Sequence, residues 1–314
     1  MPLIKNLFLS LLVIVFCFLL TSIVDQNSVT YGSVSLFLLC TITIFLFQWI
    51  VFIPSYLLST EHFFDLTGSI TFVTVSLVAF FINDTKSLRH FIVLILIVVW
   101  ALRLGVFLFL RVRKAGSDSR FVTIKKDFSV FLFTWNLQGL WVLFTLFGAL
   151  TILTSVNNTS IAFIDIIGIL IWIVGFIIEI ISDKQKSVFK NKKENKGRFI
   201  QIGLWKYSRH PNYFGELLIY TGFLLLTIES NFWWIPILIL GAFVLSIWIP
   251  GMVRIDKSLS RFEEHKEYKK KTAFIIPFIF WGMGSSFTGG NKNIVVVINK
   301  EKYSIQDFAD FIRK

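Results

Sequence analysis

Long apolar runs, each closed by a short polar segment, recur along nearly the whole chain. About 20 apolar residues suffice to cross a bilayer. By that measure eight runs qualify, at roughly 7–24, 34–58, 66–82, 91–112, 129–154, 161–181, 211–228 and 232–250. The third is short, and the fifth opens on a more polar aromatic turn, FLFTWNLQGLWV. The pattern predicts an all-α fold: a polytopic helical membrane protein with about eight transmembrane helices. The first run follows Lys5, is longer than a signal-peptide core and lacks a small-residue cleavage pattern, so it reads as a retained span.

After Pro277 the pattern breaks. WGMGSSFTGGNKN is a Gly/Ser-rich connector. IVVVINKEKYSIQDFADFIRK then reads as a short strand, a turn and a small helix, with Ser304 and Asp307 resembling a capping box. This short α+β tail is too small for a core of its own. The organisation expected is N-terminal transmembrane helices over 1–50, a main membrane domain over 51–280, and a linker with a small cytoplasmic tail over 281–314. No internal repeat is evident.

Composition agrees with the pattern. The chain is 55% hydrophobic and 16% charged, against about 25% charged in soluble domains. The net charge of +12 sits mainly in three segments, 111–127, 182–210 and 251–273. Clustering between apolar runs is positive-inside topology rather than a nucleic-acid footprint. Eight spans put these segments on one side and both termini in the cytoplasm. The 59–66 segment falls on that side too although it carries Glu61 and Asp65; acidic residues count little in this rule. Cys17 and Cys40 lie in predicted spans and the four histidines are scattered, so no disulfide framework and no metal site is expected. Asn83-Asp84-Thr85 and Asn157-Asn158-Thr159 are glycosylation sequons on predicted outer loops.

Ionisable groups inside spans are costly, and therefore informative. Arg103 lies mid-span; it either snorkels, forms a structural ion pair or serves function. Glu179 and Asp183 share a helix face at the end of the sixth run, where Asp183 also suits a plain interfacial role. Glu216 lies in the seventh run, within KYSRHPNYFGELL; it either pairs with a buried cation such as Arg103 or does chemistry. Pro211 fits a first helical turn. Arg209 and His210 then stand at a helix N-terminus, which favours an anion. Asn212, Tyr213 and Glu216 form one polar stripe running inward from it. The stripe suits a ligand with a phosphate-rich end, or a sulfonium cofactor, beside a lipid substrate. The preceding SDKQKSVFKNKKENKGRF is either a polyanion surface or a solvated basic loop. The later RIDKSLSRFEEHKEYKKKT reads as an amphipathic interfacial helix.

NKGRF, GLWKYSRHPNYFGELL, FFDLTGSITF, WALRLGVFLFLR, DSRF, WNLQGLW, SDKQKSVFK and YKKKTAFIIPF together resemble the steroid 5α-reductase-like membrane reductases, most closely the branch labelled DUF1295. The likeness covers roughly residues 50–280. The RHPNY element is shared with isoprenylcysteine carboxyl methyltransferases. The resemblance implies a helical bundle holding NADP(H) from the cytoplasmic side and reducing a carbon–carbon double bond in an enone- or sterol-like lipid. By motif, Glu216 would orient or polarise the acceptor, with Tyr213 as its catalytic partner. Asn212 would hold the nicotinamide end and Asp183 would contact the cofactor. Lys190, Arg198, Arg209, His210 and Tyr268 complete the cofactor set. Arg103, Trp135 and Gln138 are assigned to the substrate or to the structure. Glu179 stands where steroid reductases carry an amide, and they lack His210; that departure argues against a steroid itself. Two alternatives remain: an S-adenosylmethionine-dependent lipid or prenyl-carboxyl methyltransferase with His210, Tyr213 and Glu216 lining its pocket, or a non-enzymatic lipid-binding membrane protein.

Overall fold

The computed structural model describes residues 2–118, 120–157, 160–228, 233–277, 294–298 and 301–304. Helix α1 (Pro2–Val24) leads into a small antiparallel hairpin, β1 (Thr30–Tyr31) and β2 (Val34–Ser35). There follow α2 (Leu36–Leu57), α3 (Phe64–Ile82), α4 (Leu88–Ala115), the single turn α5 (Phe121–Ile124), α6 (Phe128–Leu153) and α7 (Phe163–Asn191). Next come α8 (Pro211–Leu226), α9 (Trp234–Phe243), α10 (Ile249–Leu259) and α11 (Glu264–Lys271). A π-helical turn, Val244–Trp248, joins α9 to α10.

The protein is an all-α polytopic membrane protein. Among the described residues seven helical segments are long and apolar enough to cross a membrane: Leu3–Asn27, α2, α3, α4, α6, α7 and the continuous stretch Trp234–Leu259. The eighth expected span, 211–228, is α8, with 16 residues. At 1.5 Å per residue it is about 24 Å long, short of a hydrocarbon core of about 30 Å. Large apolar side chains face outward; Leu57 and Phe163 are 75% and 76% exposed. That arrangement suits lipid, not water.

Several helix starts are locally encoded. Ser35 accepts from the Leu38 amide at the head of α2, and Asp127 accepts from Ser129 and Val130 at the head of α6. Those hydrogen bonds hold the exposed Asp127 carboxyl below its ordinary range. Ser87 and His90 form a reciprocal cap on α4.

The chain divides into two units, Met1–Gly168 with Phe223–Leu240, and Ile169–Gly222 with Gly241–Lys314. The first unit has an aromatic core. Phe52, Phe121, Phe131 and Trp135 form one buried cluster, and Phe72 meets Trp100 edge-on at 5.1 Å.

The two ends of this unit are closed differently. At one end Lys125 Nζ donates to Glu61 at 2.5 Å and the Asp118 amide donates to its other oxygen at 3.0 Å. Asp65 faces Arg120 at 3.4 Å and Arg111 at 3.6 Å. Burial alone would raise Glu61, but Lys125 and the backbone amides outweigh it and hold the carboxyl low. Burial likewise opposes Asp118, and Arg120 overcomes it. The acidic residues of 59–66 are thus counter-ions to the basic 111–127 segment.

At the other end neutral bonds dominate. The Val29 amide donates to Thr154 O at 2.7 Å and the Val156 amide to Asn27 O at 3.1 Å. Asn83 Nδ2 donates to Leu153 O and Ser155 O, while its Oδ1 accepts from Thr85. Asn83 is fully buried. Its amide nitrogen is spent inside the fold, so this sequon is a structural turn rather than a glycan acceptor. The second sequon, at 157–159, falls largely outside the described residues. Beside this cap one ion pair is buried: Arg89 donates to Asp165 at 2.7 Å and to Leu226 O at 2.5 Å.

In the tail, β3 (Ile294–Ile298) and β4 (Glu301–Ser304) pair antiparallel. The expected turn after the first strand therefore leads into a second strand. The expected helix with its Ser304–Asp307 cap lies outside the described residues.

Candidate functional site

Within the second unit α7 and α8 cross backbone to backbone. A Cβ on Gly175 would stand 2.6 Å from Gly215 O, and a Cβ on Gly215 would stand 2.7 Å from the Glu179 amide nitrogen. Only glycine permits such an approach. The crossing sets Glu179 of α7 beside the residue preceding Glu216 on α8. Glu179, Ser182 and Asp183 are all buried.

The segment before α8 is pinned by backbone and hydroxyl contacts. The Arg209 amide donates to Ala273 O at 2.8 Å. Ser208 Oγ donates to Ile275 O at 2.6 Å and accepts from the His210 amide at 3.1 Å. His210 O accepts from Phe214 N, which opens the helix with Pro211 in its first turn. Upstream, Trp205 Nε1 donates to Ser182 O at 3.1 Å, Gln185 Oε1 accepts from the Leu204 amide at 2.9 Å, and Lys186 lies 4.7 Å over the Trp205 ring.

Arg209 is buried and finds a counter-ion in the protein. Its Nη1 donates to both Asp256 oxygens at 2.7 Å, and Phe274 covers the guanidinium at 4.8 Å. Asp256 also meets His265 Nε2 at 3.2 Å and Lys269 at 3.3 Å. Tyr268 donates to Trp205 O at 2.5 Å and packs edge-on against Phe199; burial pushes its phenol up. The stretch expected as one amphipathic interfacial helix is therefore two helices, α10 and α11, broken at 260–263. They carry an internal charge cluster.

His210 sits edge-on between Tyr213 at 5.8 Å and Phe274 at 5.2 Å. Burial brings its imidazole down to about 3, with Arg209 and Lys186 adding to the effect against the pull of Asp256. It is neutral at physiological pH. Its Nε2 and the Asn212 Oδ1 are buried without a hydrogen-bond partner among the described residues. Native proteins seldom strand polar atoms this way, and two so close in sequence ask for a ligand or water.

Glu216 Oε1 accepts from Tyr220 at 2.6 Å. Trp248, in the π-helical turn, packs on Tyr213 at 5.2 Å and on Tyr220 at 5.6 Å. π-turns of this kind often accompany functional sites.

The second unit thus contains Glu216, Tyr213, Asn212, His210, Arg209, Asp183, Lys190, Arg198 and Tyr268. Lys190 and Arg198 are exposed. Arg209 Nη1 and the Tyr268 hydroxyl bond within the protein. The remaining three belong to the first unit. Trp135 is fully buried in the aromatic cluster, Gln138 donates to Phe64 O at 2.6 Å, and Arg103 lies 5.2 Å over the Phe107 ring. Sequence reasoning missed Tyr220, Asp256, His265 and Trp248. Only Tyr220 had a usable signal, its i, i+4 spacing from Glu216.

A family model described as "Protein of unknown function (DUF1295)" matches residues 51–272, well over half of the chain. No curated protein matches the chain.

Proposed function

We propose that this chain, which belongs to the DUF1295 family, is a membrane-embedded NADPH-dependent reductase of a carbon–carbon double bond in an enone- or sterol-like lipid. The observation that carries the reading is the polar stripe on α8. It runs from the stranded His210 Nε2 and Asn212 Oδ1 to the Glu216 carboxyl held by Tyr220.

The residues present fit the cofactor in part. Asn212 Oδ1 is a stranded acceptor, suited to the amide N–H of a nicotinamide carboxamide. Exposed Lys190 and Arg198 suit its phosphates. Arg209 fits less well as a phosphate ligand, because Asp256 already neutralises it; it serves better to fix the base of α8. Bound there, NADPH would supply a hydride to the β-carbon of the acceptor. Glu216, as the protonated acid, would donate a hydrogen bond to the acceptor oxygen where negative charge develops, and would give that oxygen its proton as the enol forms. Tyr220 would orient that carboxyl and return a proton to it, and tautomerisation of the enol would complete the reduction. Tyr213, edge-on to Trp248, would form the apolar wall. Counting α8 as a short eighth crossing, as that topology requires, we place the basic segments and both termini in the cytoplasm, on the positive-inside bias.

The test is binding by purified protein in detergent. NADPH should raise the unfolding temperature saturably, and S-adenosylmethionine should not. The reverse pattern would support the methyltransferase reading. No response to either would leave the chain a lipid-binding protein.

A further inference from the structure

A separate feature lies in the first unit. Helices α1, α2 and α6 border an open groove of about 360 Å³ on the outer face of the unit, within the usual range for small-molecule sites. Apolar side chains such as Leu11, Trp49, Phe52 and Leu132 line it, and no charged residue does. Two polar residues join them, Ser10 and Asn136, which are 5% and 1% exposed.

Trp49 Nε1 donates to Asn136 Oδ1 at 2.9 Å. An indole N–H can only donate, so the bond fixes the amide with its oxygen toward Trp49. The donor Nδ2 is left over. Nδ2 and Ser10 Oγ both lack a hydrogen-bond partner among the described residues. Within hydrocarbon no solvent water compensates an unmet donor. The groove therefore calls for an apolar molecule that brings one acceptor oxygen.

Depth narrows the class. Asn136 lies eight residues into α6 and Trp49 eight residues before the end of α2. Both are then about 12 Å from their helix ends. A membrane phospholipid carries its ester oxygens near the edge of a core about 30 Å thick. An oxygen meeting Asn136 must sit well inside that edge, which a charged headgroup resists. A neutral lining also gives a carboxylate no counter-ion.

We propose that the groove binds a neutral long-chain lipid bearing an uncharged carbonyl, an ester or ketone, whose oxygen accepts from Asn136 Nδ2. The Ser10 hydroxyl supplies a second donor. The proposal is independent of the reductase reading, and its test involves no nucleotide.

Purified full-length protein in bilayer nanodiscs would be photolabelled with a diazirine fatty-acid methyl ester. Parallel samples would receive a chain-matched diazirine alkane and a diazirine phosphatidylcholine. Labelled peptides covering 7–14 and 49–53 would be quantified by mass spectrometry. One hydrogen bond should favour the methyl ester about fivefold over the alkane, and Asn136→Leu should abolish that preference. Leu11→Trp, which fills the groove and leaves the Asn136–Trp49 bond in place, should cut all labelling there and keeps the test open if Asn136→Leu misfolds. Equal labelling by ester and alkane overturns the proposal. So does a preference that survives Asn136→Leu, or a dominant phosphatidylcholine signal.

Discussion

Two buried arginine–aspartate pairs, one in each unit, make an instructive contrast. Arg89–Asp165 in the first unit has side chains 7% and 1% exposed. Arg89 also holds the last carbonyl of α8, and Asp165 also holds the Ala162 amide at the head of α7. It is a staple among helix ends. Arg209–Asp256 in the second unit is as buried, at 6% and 9%, but Asp256 is shared with His265 and Lys269. Beside it two polar atoms, on His210 and Asn212, are stranded. Burial of charge is thus common to both pairs. What sets the second apart is the buried polar atoms of His210 and Asn212 beside it that lack a hydrogen-bond partner among the described residues.

The largest expected effect tests the likeness of the pairs. Removing one partner of a buried pair costs about 3–5 kcal/mol. Asp165→Ala and Asp256→Ala should each lower the unfolding temperature sharply in detergent. Replacing both partners, as in Arg89→Met with Asp165→Leu, should recover most of the loss. Only Asp256→Ala should also weaken NADPH binding; equal affinity in the two variants would erase the distinction.

Next in size, Glu216→Gln should reduce lipid-dependent NADPH oxidation in reconstituted membranes by about 10²–10³. The affinity for NADPH should stay near that of the parent. A loss of binding instead would make Glu216 part of the nucleotide site or of the fold.

Acid should separate the regions further. His210 is neutral in the fold and its imidazole is depressed to about 3, below an ordinary value of about 6.5. The unfolded chain therefore takes up a proton that the folded chain refuses. Stability from this group is full above about pH 6.5 and declines as pH falls toward 3, by up to about 1.4 kcal/mol per unit. A His210→Phe variant should show a flatter pH dependence of unfolding across that window; an unchanged slope would show that the imidazole does not govern it.

The smallest effect concerns Tyr220→Phe. Loss of one hydrogen bond to a carboxyl, worth about 1.5 kcal/mol, should slow turnover about tenfold with little change in stability. A decline as large as that of Glu216→Gln would make the phenol a full participant.

Most of the architecture was legible because hydrocarbon leaves few choices. A run of about 20 apolar residues must be a helix there. The eighth run, 211–228, outlasts its helix, which stops at Leu226 and leaves α8 the shortest of the eight; hydropathy does not see where a helix stops. The α8 stripe was legible because Asn212, Glu216 and Tyr220 repeat at the helical period. What could not be read were partners distant in sequence. Asp256 stands 47 residues from Arg209, and nothing local in RIDKSLSR distinguishes it. Glu61 and Asp65 looked like exceptions to a charge rule until Lys125, Arg111 and Arg120 were found against them. Asn83 matched a modification motif by three letters, and burial overrode it.

The glycine contact between α7 and α8 acts as a lock on registration. A Cβ added at Gly215 would stand 2.7 Å from main-chain atoms of its neighbour, so no compressible side chain lies between the two rods. Sliding one past the other by a residue would bring a Cβ into backbone. The spacing of the Glu179 and Glu216 main chains is therefore set by the backbone crossing. Whatever else in this unit rearranges, the two helices are held in register at this crossing.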